Sequence, residues 1–272
     1  MSWQSVARND LRVARSERGA WVLFAGFLLG FCGLALLLVQ LDSPAFGEYL
    51  DLLAGGFGLL VPLSGIVLGY ETIIGERESG TAVLSLSMPQ SRAELVLGKL
   101  VGRTVLLGAV VAGPALVTCL VLVAFYPEFS LSRYLGFVLT TLLYGAVCLW
   151  ISVGLSSALS SSRRVIIASF GTYVGLTLVW GVLIDIVVAV LFRFRPTDPS
   201  DPETWATFTT FVGPNAAFDY LLAEVVDTGT VPPIAANSAA GFVTPVVALL
   251  ALLTWASLPV IVGYLRFQRA DL

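Results

Sequence analysis

The sequence predicts an all-α polytopic membrane protein with six transmembrane helices. Two observations carry that expectation. Six apolar runs, at 20–41, 52–70, 104–126, 134–159, 165–191 and 242–265, make up about half of the 272 residues, and each can cross about 30 Å of hydrocarbon at about 1.5 Å per residue. Positive charge then changes side at every crossing. Arg8, Arg12, Arg15, Arg18, Arg77, Arg92, Lys99, Arg103, Arg163, Arg164, Arg266 and Arg269 fall on one side, and Arg133, Arg193 and Arg195 on the other. The split is 12 against 3. The positive-inside rule therefore predicts cytoplasmic termini in a multi-pass protein of the plasma membrane. Six buried helices of a soluble protein would be shorter and would carry a polar stripe.

Within residues 3–18 the chain reads as an amphipathic interfacial helix. Trp3, Val6, Ala7, Leu11 and Ala14 share one side, with Arg8, Arg12 and Arg15 on the other. Trp3 suits the headgroup depth and the arginines suit anionic lipid; a charged tail that only fixes topology is the plainer alternative. The run 20–41 exceeds a signal-peptide h-region, and no small-x-small site precedes Asp42-Ser43-Pro44, so it is expected to remain as the first span. A short acidic loop, 42–51, leads to the second span. The longest inner loop, 71–103, follows it. The links on either side of the fourth span are tight. Residues 193–241 form the one large outer segment. It opens irregularly at Arg195–Pro202 and continues as two short apolar helices, Trp205–Val212 and Asn215–Val226, broken at Gly213-Pro214. These are too short to span and are expected to dip into the outer leaflet. Gly26/Gly30, Gly65/Gly69, Gly98/Gly102 and Gly171/Gly175 are small-xxx-small pairs that let helices approach closely, with a dimer face open for one of them. Pro62, Pro114, Pro245 and Pro259 are expected to kink their spans.

The chain is one membrane domain over 1–272. Composition excludes several chemistries. There is no His, Met occurs only at 1 and 88, and Cys32, Cys119 and Cys148 all lie in apolar runs. No disulfide framework or metal site is expected. Net charge is −3 and one basic residue in 15 is Lys; a high-salt habitat favours such a surface, and a GC-rich genome gives the same Arg bias.

The inner loop carries the functional signal. Glu76-Arg77-Glu78-Ser79-Gly80-Thr81 is followed by an apolar stretch ending at Pro89. Gly80-Thr81 can start a short helix there. Ser91 and Glu94 then form a capping box ahead of an apolar run, so the third membrane helix is expected to begin near Arg92. The product is a helix–break–helix elbow below the membrane, suited to receiving force from a partner; an ordinary charged loop is the alternative.

The order Glu-Arg-Glu-x-Gly-Thr, Pro-x-Ser-Arg, Gly-Lys over 76–99 resembles the inner loop of ABC-2 type permeases, the membrane subunits of ATP-binding-cassette exporters. The similar branch has six spans, a basic N-terminal amphipathic helix and short outer helices before the last span; it includes the membrane subunit of the nitrous-oxide-reductase maturation transporter. The resemblance implies a permease dimer, of two copies or of paralogues, driven by two separate ATPase subunits that hold ATP and magnesium. It implies that Glu76, Arg77, Glu78, Gly80, Thr81, Pro89, Arg92, Gly98 and Lys99 dock the ATPase. The scarcity of Met and absence of His leave a copper role unsupported. No G-x-x-x-x-G-K-[ST] phosphate loop occurs, so this chain is expected to be non-catalytic, with no cofactor of its own. Two rivals remain. A secondary carrier would use Asp185, the one clear charge within a span, as an ion or proton site, but shows neither repeats nor further spans. An intramembrane enzyme would want His or paired acids at membrane depth.

Overall fold

The fourth run becomes the centre of the molecule because its small residues admit neighbours on both sides. The computed structural model describes residues 3–16, 18–41, 45–78, 91–191, 204–226 and 241–269, among which every regular element is helical. Six helices are long and apolar enough to cross a membrane. They follow an amphipathic helix α1 (Trp3–Ser16). The spans are α2 (Arg18–Gln40), α3 (Phe46–Gly69) with a short continuation α4 (Ile74–Glu78), α5 (Arg92–Phe125), α6 (Leu131–Ala158), α7 (Ser162–Leu191) and, after α8 (Thr204–Phe211) and α9 (Pro214–Val226), α10 (Pro245–Arg269).

α6 has 67% of its most apolar stretch buried, against 6% for α7. A Cβ on Gly65 of α3 would overlap the Gly145 carbonyl oxygen of α6, and one on Gly69 would lie 2.9 Å from the Leu149 carbonyl oxygen. On the other side of α6, a Cβ on Gly154 would come within 2.5 Å of the Pro259 carbonyl in α10, and one on Gly263 would overlap Gly154. Backbone-to-backbone approach is what helix association in lipid relies on.

Hydroxyls tie the remaining spans in. The π-helical turn Leu29–Gly33 interrupts α2, and Tyr49 donates to the Phe31 carbonyl within it at 3.2 Å. A second π-helical turn, Gly175–Val179, interrupts α7; there the Thr177 hydroxyl lies 3.1 Å from that of Tyr144. Trp180 and Trp255 donate to Thr209 and Val212 carbonyls, pinning α8 and α9 beside α7 and α10. Phe218 of α9 stacks on Tyr144 at 4.7 Å. The two short helices thus pack against α6, α7 and α10.

Several expectations need correction. α3 starts at Phe46, before the hydropathy rises, because Glu48 in its first turn suits the positive end of the helix dipole. Pro245 is the first residue of α10 and kinks nothing, in keeping with proline's tolerance at a helix start. The π-helical turns were not legible from hydropathy. Gly171 and Gly175 have no neighbour within 4 Å of a built Cβ, so that pair makes no close helix approach among the described residues. The acidic loop 42–44, the stretches 79–90, 192–203 and 227–240, and with them the helix expected from Gly80-Thr81, lie outside the described residues.

Candidate functional site

The elbow has two described arms, and both are built by local sequence rules. The first begins where α3 stops. Tyr70–Ile73 breaks the helix, and the amides of Ile73 and Ile74, which lose helical partners at such a break, donate to the Ser156 hydroxyl of α6 at 3.2 and 3.1 Å. α4 then presents Glu76, Arg77 and Glu78. The second arm begins at Ser91. Its hydroxyl accepts from the Glu94 amide at 3.2 Å, while the Glu94 carboxylate accepts from the Ser91 amide at 2.8 Å. The capping box is therefore formed, and α5 starts at Arg92 as the sequence predicts.

Three of the predicted charges on these arms, Arg77, Arg92 and Glu78, grip other helix ends. Arg77 donates to the Leu159 carbonyl at 3.2 Å, just past α6, and lies 5.6 Å from the Phe267 ring. Arg92 approaches the same ring at 5.3 Å and donates to the Phe267 and Gln268 carbonyls at the end of α10. Glu78 accepts from the Ser162 amide and hydroxyl and so caps α7 across the chain. The hydroxyl and amide of Ser162 hold the Glu78 carboxyl below the ordinary carboxylate range.

Behind the arms lies an ion cluster. Lys99 of α5 reaches Asp10 of α1 at 2.9 Å and Glu76 of α4 at 2.6 Å. Arg103, one turn on, meets the other Asp10 oxygen at 3.1 Å. Two acids face two bases, and the Asp10 side chain is only 2% exposed. The Lys99 ammonium, itself buried, is compensated by the Asp10 and Glu76 carboxylates on either side of it. Close approach of α1 makes the cluster possible. A Cβ on Gly98 would meet Val6 at 2.5 Å, and one on Gly102 would meet the Ala7 carbonyl oxygen at 3.1 Å. The Gly98/Gly102 pair is therefore the seat of the N-terminal helix.

Of the expected anchors, Trp3 is 41% exposed and Arg8 and Arg12 are exposed on α1, while the Arg15 side chain lies outside the described residues. Gly80, Thr81 and Pro89 likewise lie outside them. Asp185 is exposed on α7 and forms no ion pair among the described residues. Sequence reading missed Asp10, Arg103, Ser156, Ser162 and Phe267. Asp10 had a signal: it falls between Ala7 and Ala14 at helical spacing, in the middle of the apolar stripe of α1.

The ABC-2 family transporter protein domain matches residues 4–272. The chain belongs to the ABC-2 transporter family. A probable ABC transporter permease protein NosY of Pseudomonas aeruginosa is 31% identical over 199 residues, 69% of this chain and 70% of that protein. The protein of the same description from Stutzerimonas stutzeri is 25% identical across 97% of both chains. In this ABC-2 chain the residues of the loop motif do more than face water. They join the elbow to α1, α6, α7 and α10 at one end of the bundle, which is the arginine-rich end.

Proposed function

We propose that this chain is the permease subunit of an ABC exporter of the plasma membrane, and that a separate ATPase docks on the elbow at residues 76–99. One observation supports it above the others: the two arms hold the ends of α6, α7 and α10 and, through Lys99, the interfacial helix α1. Force applied to the segment between the arms would reach four helices together. ATP-driven closure of a pair of ATPases would then shift the bundle between inward- and outward-open populations, by binding one arrangement better than the other. ATP and magnesium belong to the partner, since the chain has no phosphate-cradling loop. The 12-to-3 split of basic residues supports cytoplasmic termini. A second permease copy, or a paralogue, fits the outward face of α7. Leu178, Val182, Leu183 and Ile186 are exposed there, Gly171 and Gly175 offer close approach, and exposed Asp185 would be costly against lipid.

Glu78→Arg would both reverse a charge and uncap α7, whereas Glu78→Gln removes the charge and keeps one of the two acceptor oxygens that Ser162 uses. Capture of the co-expressed ATPase should fall in Glu78→Gln and fall further in Arg92→Glu, with the purified permease still monodisperse. Unchanged capture and unchanged ATP hydrolysis in both variants would make the loop an ordinary linker and remove the reading.

Orientation is tested separately. A cysteine placed at Ser200 should react with a membrane-impermeant maleimide on intact cells, and one at Ser79 only after lysis. The reverse pattern would invert the topology.

A further inference from the structure

A cleft of about 400 Å³ lies beside the ion cluster, between the arginine-rich ends of α2 and α3. Small-molecule pockets run from roughly 300 to 1,000 Å³, so the space suits a ligand of modest size. Its walls are of two kinds. Ala20 and Leu23 of α2 and Val67 and Leu68 of α3 make the apolar part, and Val67 is 41% exposed. Tyr70, Glu71, Glu76, Lys99 and Arg103 make the polar part. The charges on that part are not equivalent. Lys99 and Arg103 are already committed to Asp10 and Glu76 at 2.6–3.1 Å. An anionic headgroup would have to compete with buried carboxylates for them. Glu71 is different. It is exposed, and it forms no ion pair among the described residues. The cleft therefore presents one carboxylate that no base pairs among the described residues, at the mouth of an apolar wall, with the Tyr70 hydroxyl hydrogen-bonded to it.

We infer that this cleft binds a lipid-soluble amine: a single ammonium placed at the Glu71 carboxylate, with an alkyl chain along Leu23, Val67 and Leu68. The inference takes only its membrane setting from the permease reading. Binding needs neither ATP nor the ATPase, so loss of ATPase docking would leave it standing, and its own failure would leave docking untouched.

The test uses the full chain in phosphatidylcholine nanodiscs and two photoreactive probes of equal length, a dodecylamine and a dodecanoic acid each carrying a diazirine on the chain. Mass spectrometry reads the labelled residues. The amine should label the 20–23 and 67–71 peptides about fivefold more than the acid, the ratio expected of a partly exposed ion pair. Glu71→Gln should bring the amine down to the level of the acid, while Leu23→Trp, which fills the apolar part, should reduce both. Asp185→Asn should change neither. Equal labelling by the two probes, or amine labelling that survives Glu71→Gln, overturns the inference. Glu71 is exposed, so its replacement leaves the fold intact, and an unchanged elution profile checks this.

Discussion

Gly65→Ala should destabilise the protein while Gly108→Ala stabilises it, although both replace a helical glycine by the same residue. Alanine gains up to about 1 kcal/mol over glycine within a helix. At Gly108 nothing lies within 4 Å of the new methyl group, so that gain is kept. At Gly65 the methyl group would occupy the place of the Gly145 carbonyl oxygen and lie 3.0 Å from the Leu149 nitrogen. Those atoms are backbone of the central helix and cannot rotate away. Overpacking typically costs about 1–3 kcal/mol, and a rigid backbone obstacle places this site at the upper end. Gly65→Leu should go further and separate α3 from α6. Thermal unfolding in a mild detergent, followed by size-exclusion chromatography, reads the outcome. Changes of the same sign at Gly65 and Gly108 would mean that the α3–α6 crossing has room for a methyl group.

Hydropathy makes the six spans legible because a helix in lipid has no cheaper way to satisfy its backbone. It places spans better than it places their ends. α3 runs back to Phe46 past Glu48 and Asp51, since a helix goes on forming after the chain has left the hydrocarbon. The start of α5 near Arg92 was legible, because Ser91 and Glu94 state it locally. The same holds for the break between α8 and α9 at Gly213-Pro214. The elbow's charges were legible as a group, but their partners were not. Phe267, Ser162 and Asp10 are about 84 to 190 residues away from the charges they meet or come from the far end of the chain, and no local pattern announces such pairs. The glycine pairs show the same limit. Their spacing marks surfaces fit for close approach, yet Gly65/Gly69 and Gly98/Gly102 are used within the chain while Gly171/Gly175 are not. Only the packed structure separates them.

Lys99→Met is expected to release the N-terminal helix and to loosen the elbow in one step. The methionine matches the length of the lysine stem but leaves Asp10 and Glu76 facing each other without the ammonium between them. Removing one member of a buried ion pair costs about 3–5 kcal/mol, because the remaining charge stays desolvated. Arg103 still holds Asp10 at 3.1 Å, and Glu76 is 24% exposed, so the lower end, about 3 kcal/mol, is the expected loss. Asp10→Asn with Lys99→Met should recover part of it, since the double change removes opposite charges together; a double variant no better than the singles would show that the pair is not coupled. The wild-type protein should hold α1 in place at neutral pH, whereas Lys99→Met should show it released there. Hydrogen exchange over residues 3–16 reads this directly: protection that is lost in the variant at pH 7 and persists in the wild type is the expected result, and equal protection in the two would remove the cluster's role as the tie between α1 and the elbow.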